Sequence, residues 1–184
     1  MLERVGSTVT PQPVIAIARK PVPDPHALEA DGLVLVGVEL ADPGNVGTLL
    51  RSAEASGAAA IVLSRGSVDA YNPKVVRASA GAIFGVPVME EWSAVEALDT
   101  VGETGRQRLA AVSGSGTPYD AVDFCRPTAV VLGNEAHGLS DDLAGRLDGR
   151  VTIPMAPDVE SLNVAMAGTV LCFESARQRR ARPA

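Results

Sequence analysis

The chain has 184 residues, 46% of them hydrophobic and 21% charged, which is enough apolar material for one buried core and excludes a disordered chain. Lys and Arg total 16 against 22 Asp and Glu, a net charge of −6 that excludes a uniformly basic nucleic-acid coat protein but not a local basic patch. Two cysteines (Cys125, Cys172) and two histidines (His26, His137) are too few and too scattered for a disulfide scaffold or a Cys/His metal centre, so no metal is expected.

Residues 1–30 contain Pro11, Pro13, Pro21, Pro23 and Pro25 and show no signal-peptide pattern. They read as an extended arm or linker before a domain over residues 31–184, with one short edge strand at Val14 to Ala18. Buried strands are predicted at Leu33 to Val38, Ala60 to Leu63, Val86 to Met89, Leu109 to Val112, Ala129 to Leu132 and Val151 to Ile153. Between them fall a helix from Val46 to Ser56 closed by Gly57, and one opened by Asn72-Pro73 through Ser79. A third starts at Ser93, and a final helix runs from about Leu162 to Arg177. Strands that are apolar throughout, alternating with helices, indicate an α/β fold with a parallel sheet covered on both faces. The apolar run Leu162 to Phe173 is too short to span a bilayer, so no membrane partner and a cytoplasmic, reducing setting are expected.

Ligands of open α/β sheets bind beyond the carboxyl ends of the strands, so the loops there hold the chemistry. The first is Asp42-Pro43-Gly44-Asn45-Val46-Gly47, in which Asn45 could cap the helix and Arg51 follows within two turns. Gly44-x-x-Gly47 is neither a dinucleotide fingerprint nor a P-loop. The second is Gly133-Asn134-Glu135-Ala136-His137-Gly138-Leu139-Ser140, with Ser140 as a possible cap. No serine or cysteine pairs with His137 as in a hydrolase triad. The third runs from Pro154-Met155 to Ser161-Leu162-Asn163. Asn163 enters an almost wholly apolar helix, and a buried amide without a hydrogen bond costs roughly 1–3 kcal/mol, so it needs a partner. Ser113-Gly114-Ser115-Gly116 is either a ligand-facing loop or a flexible connection. The basic end Arg177 to Arg182 reads either as cations at a helix terminus or as phosphate contacts.

Together these loops resemble the three motifs of the SpoU (TrmH-like) RNA 2'-O-ribose methyltransferases, in family order. Asp42 to Arg51 is similar to the first, Leu132 to Ser140 to the second, and Ile153-Pro154-Met155 with Val159 to Ala165 to the third. Asn72 to Ser79 resembles the segment between the first two, and the likeness covers about Leu33 to Arg177. Ala136 and Asp158 stand where the family often has glycine.

The resemblance implies a SPOUT architecture, a parallel α/β sheet with a C-terminal deep trefoil knot. It also implies a homodimer whose active site is completed near the subunit interface, to which the apolar face of Leu162 to Phe173 would contribute. The implied cofactor is S-adenosyl-L-methionine, held by Leu132, Gly133, Asn134, Ile153, Met155, Ser161, Leu162 and Asn163. Arg51 matches the family's catalytic arginine, with Asn45 to orient the ribose or Arg51, Glu135 to hold the loop and reach toward Arg51, and Ser161 and Asn163 to tie the third motif to the cofactor and to Arg51. The implied substrate is RNA, guanosine or another nucleoside in 23S ribosomal RNA first and tRNA second, with Lys74, Arg77, Arg177, Arg179 and Arg180 as phosphate contacts. A catalytically silent RNA-binding or assembly factor of the same fold is the alternative. Only about thirty residues stand where many family members carry an RNA-recognition domain, so either the chain is a truncated product or the dimer surface and tail capture RNA.

Overall fold

The computed structural model describes residues 16–181. Seven parallel strands form one sheet in the order β3-β2-β1-β6-β4-β7-β5. In chain order the elements are β1 (Val34–Gly37), α1 (Pro43–Ser56), β2 (Ala60–Leu63), α2 (Pro73–Ala78), β3 (Val88–Met89), α3 (Ala94–Glu103), β4 (Gln107–Val112), β5 (Thr117–Pro118), β6 (Thr128–Leu132), β7 (Gly149–Thr152) and α4 (Val164–Ala181). The chain winds outward from β1 to β3, then crosses to build the other half from β4 onward. That reversal opens a crevice at the carboxyl ends of β1, β6 and β4.

Alternation along the strands sends side chains to two separate cores. Leu33, Leu35, Ile61, Leu63, Val130 and Leu132 pack with residues of α1, α2 and α4 on one face. Val34, Val36, Val62, Ala129 and Val131 pack with Ala97, Leu98 and Val101 of α3 on the other. Close approach fixes the first layer. A Cβ on Gly47 of α1 would strike Ala78 of α2, and one on Gly168 of α4 would strike Leu49 and Leu132. α1 is therefore pinned between α2 and α4.

Helix starts follow local chemistry. Asn72 Oδ1 accepts the Lys74 N–H at 2.9 Å, and Ser93 with Glu96 forms a reciprocal capping box. α1 ends on Gly57 in the left-handed region at φ 69.

The expected edge strand at Val14 to Ala18 is not formed over its described part. Residues 16–18 have no regular structure and Ile17 is fully exposed, while Val14 and Ile15 lie outside the described residues. Pro25–Glu29 is a 3-10 turn that sends Leu28 into the second core. The two-residue β5 extends the sheet beyond β7 and was not expected.

Candidate active site

The loops after β4, β6 and β7 line one cavity of about 730 Å³ in that crevice, within the range of small-molecule sites. All eight residues proposed to hold a cofactor line it: Leu132, Gly133, Asn134, Ile153, Met155, Ser161, Leu162 and Asn163. So do Ser113 and Ser115, which makes that serine–glycine stretch a cavity wall. A Cβ on Gly133 would lie 2.7 Å from the Leu139 nitrogen and run into the Gly138 backbone, so only glycine lets the Asn134 to Gly138 turn fold back onto β6. That turn is closed by paired backbone bonds between Asn134 and Gly138, at 3.0 and 2.8 Å. Asn134 Oδ1 accepts the N–H groups of Ala136 and His137, and its Nδ2 donates to the Glu39 carbonyl at 2.8 Å. Glu39 sits at φ 53, a left-handed conformation that costs free energy in a non-glycine residue; the Ser64 hydroxyl accepts its N–H at 3.0 Å.

A chain of side-chain hydrogen bonds joins the three motif loops. Asn163 Oδ1 accepts the N–H groups of Ala165 at 2.9 Å and Met166 at 3.2 Å, capping α4. Its Nδ2 must then donate outward, and it does so to Asn45 Oδ1 at 2.9 Å. The Asn45 amide is thereby oriented with Nδ2 toward Glu135 Oε1, also at 2.9 Å. Glu135 accepts in addition from the N–H groups of Ala41 and Asp42, at 3.3 and 3.4 Å. Each amide orientation fixes the next, and the chain ends on a carboxylate that receives three donors.

Two expectations are corrected here. Asn45 is not the cap of α1; Asp42 is, its carboxylate accepting the Asn45 N–H at 2.8 Å, which frees the Asn45 side chain. Asn163 is not buried within the last helix but exposed just before it, because its side chain serves the unpaired N–H groups of the first turn. Asn163→Ala should therefore cost about 1 kcal/mol of stability, in the range of lost caps. Chemical denaturation measures it, and an unchanged midpoint would contradict the cap.

Burial raises the Glu135 pKa, but the hydrogen bonds from Asn45 and the backbone outweigh it and hold the carboxyl below its ordinary value. A depressed carboxyl contributes stability that is present above its unfolded value, about 4.3, and lost as pH falls through the folded one. A carboxyl-carbon NMR titration should give Glu135 a midpoint below about 4.3; a midpoint at or above it would break the network as described.

The remaining site residues divide. Ser161 lines the cavity, exposed, and does not join the chain of amides. Arg51 is exposed on α1 and lies outside the cavity wall; Glu135 holds the loop, as expected, but its oxygens serve Asn45 and the loop backbone and do not bond Arg51. Lys74 and Arg77 are exposed on α2 and form no ion pair among the described residues. Arg177 is held by Glu174 through bonds of 2.8 and 2.7 Å. Arg179 leans on the Ser56 and Gly57 carbonyls at the end of α1, and Arg180 is exposed. Arg182 lies outside the described residues.

Sequence reading missed the walls from Ala110, Ala111, Leu147 and Arg150. Their one local signal is the Ala110-Ala111 pair, small residues where a buried strand ordinarily carries branched ones. Among the described residues, no group of three or more His, Cys, Asp or Glu side chains is placed to hold a metal ion, and no helix is long and apolar enough to cross a membrane.

Comparison with known proteins points to one family. The model of the SpoU rRNA Methylase family matches residues 32–173. A Synechocystis sp. protein named as an uncharacterized tRNA/rRNA methyltransferase is 40% identical over 97% of this chain and 65% of its own length. The 23S rRNA (uridine(2479)-2'-O)-methyltransferase of Streptomyces viridochromogenes is 34% identical over 97% of this chain and 65% of its own. The crystal structure of the SpoU methyltransferase AviRb from that organism, in complex with the cofactor AdoMet, superposes with a TM-score of 0.78 at 32% identity, covering 88% of this chain and 67% of that one. This chain thus spans 65% of the length of the first two relatives.

Proposed function

The chain belongs to the SpoU rRNA methylase family, and from that premise we propose that it methylates a ribose 2'-hydroxyl of RNA, using S-adenosyl-L-methionine. The observation that supports this reading most is that the second and third motif loops line one cavity and the first is tied to both of them by the Glu135–Asn45–Asn163 chain. The cavity suits the cofactor. Leu132, Leu147, Ile153 and Leu171 offer an apolar wall for a purine, and the carboxylates of Glu135 and Asp141 suit a cationic sulfonium. Bound there, the cofactor supplies an electrophilic methyl group.

The protein's own part is alignment and charge. The Asn45 amide, locked between Asn163 and Glu135, is held to orient the ribose. The Arg51 guanidinium stabilises negative charge developing on the attacking 2'-oxygen and binds a neighbouring phosphate, since a guanidinium holds its protons too firmly to serve as a base. Lys74 and Arg77, exposed on the helix beside α1, extend this surface toward further phosphates. The favoured substrate is 23S ribosomal RNA, guanosine or another nucleoside, with tRNA second. The segment after β7 is proposed to thread the trefoil knot.

The protein is proposed to act as a homodimer. Val159, Leu162, Met166 and Phe173 are 41–55% exposed, and the last three recur at helical spacing along the α4 region. α4 packs beside α1 on the same face of the sheet, so the stripe and Arg51 share one surface. A two-fold pairing through it would bury the stripe and set Arg51 against the partner's cavity. Calorimetry with S-adenosylmethionine and sedimentation at micromolar concentration test the reading. Stoichiometric binding and twice the chain mass are expected; absent binding, or a monomer that still methylates RNA, would contradict it.

A further inference from the structure

A second groove, of about 740 Å³, lies at the other end of the sheet, at the amino ends of β1 and β6. Its walls are the approach to β1, the last turn of α1, the segment before β6 and the final turns of α4. Four guanidiniums line it, those of Arg106, Arg126, Arg179 and Arg180. Of its three carboxylates, Glu29 is turned to the His26 ring at 3.2 Å and Glu54 lies over Gly85, which leaves Asp31 alone against four cations.

Arg106 is 5% exposed. Four of its five N–H donors go to the backbone carbonyls of Leu28, Gly32, Thr128 and Ala30. All four acceptors are neutral, and Arg106 has no ion-pair partner among the described residues. Burial first and then the neighbouring Arg179 push its pKa down, with Asp31 opposing.

Arg179 enters the groove over Gly32, where a Cβ would stand 2.9 Å from its Nη1. Its own bonds, to the Ser175, Ser56 and Gly57 carbonyls, are all at 3.4 Å, near the limit of hydrogen bonding. Ser175, one turn earlier and 1% exposed, lines the same groove, and its hydroxyl has no hydrogen-bond partner among the described residues. Buried charges are ordinarily paired. Two adjacent cations with no carboxylate partner, donors left over and an unpaired hydroxyl form a site that an anion completes.

We propose that this groove is a phosphate-binding site, separate from the cofactor cavity, that takes a backbone phosphate of the RNA substrate between Arg106, Arg179 and the rim residues Arg126 and Arg180. Guanidinium forks match phosphate oxygens in pairs, and the exposed rim arginines give a polyanion a way in. The assignment to RNA rests on the reading of the substrate above, whereas the site's demand for phosphate does not.

The test titrates the full chain with inorganic phosphate at constant ionic strength, reading the amide NMR signals of Gly32, Gly57 and Arg126. Saturable shifts are expected, lost in an Arg126→Gln/Arg180→Gln variant whose changed side chains are exposed and whose fold the same spectrum checks. In parallel, RNA binding is measured over a salt series. The double variant should bind more weakly, with the slope of log affinity against log salt reduced by about one or two, and with unchanged cofactor affinity. Phosphate shifts with unaltered RNA binding would keep the site and overturn its assignment to RNA, leaving a free phosphate or nucleotide as ligand. No saturable shift would overturn the site itself. Wild-type protein that binds phosphate here yet methylates no RNA would instead overturn the proposed function.

Discussion

Replacing Arg51 by alanine should cut single-turnover methylation of a cognate RNA roughly a hundred- to thousand-fold, the loss seen when a donor to developing oxyanion charge is removed. Cofactor affinity should stay close to wild type, because Arg51 lies outside the cavity wall. Arg51→Lys should rescue little, since a point charge does not reproduce the planar fork. A dimer in which Arg51 serves the partner's cavity adds a sharper expectation. Mixing Arg51→Ala chains with chains disabled in the cavity should restore roughly a quarter of wild-type turnover, since half the dimers are mixed and each holds one intact site. An inactive mixture would place Arg51 with its own chain's cavity, and near-normal turnover of Arg51→Ala alone would remove it from the mechanism.

Gly133→Val should abolish cofactor binding, and for a reason more specific than crowding of the ligand. The first side-chain carbon already meets the backbone of Gly138 and Leu139, so the Asn134 to Gly138 turn must move away from β6. That displaces Glu135 and breaks the amide chain behind it. A stability loss of about 1–3 kcal/mol, typical of overpacking, should accompany the loss of binding. Gly133→Ala should show the same effects in weaker form. Calorimetry and thermal unfolding on one preparation separate the two readouts, and unchanged affinity in Gly133→Val would place the cofactor elsewhere.

The central strands were legible because β1, β2 and β6 are buried at every position and, Thr128 apart, carry no polar side chain, the mark of a sheet covered on both faces. β5 was not, because two exposed residues carry no periodicity. The motif loops declared themselves by composition, but the work of each residue did not. Asp42 and Asn45 are both able to cap a helix, and only the position of Glu135, ninety residues away along the chain from Asn45, decides which side chain is left free. Asn163 was misjudged for the opposite reason. The apolar residues after it suggested burial, whereas a helix that begins one residue later leaves the side chain at its mouth. The arginine-lined groove joins residues 28–32, 106, 128 and 179, a set that no local pattern brings together.

The most direct test of the central claim is the chemical position of the transferred methyl group. Ribosomal RNA incubated with the protein and methyl-labelled S-adenosylmethionine is digested with alkali, which needs a free 2'-hydroxyl to cleave the chain. Ribose methylation predicts label in alkali-resistant dinucleotides, absent with Arg51→Ala. Label released in mononucleotides, carried on a base, would contradict the account, as would a protein that binds the cofactor and transfers no label to any RNA.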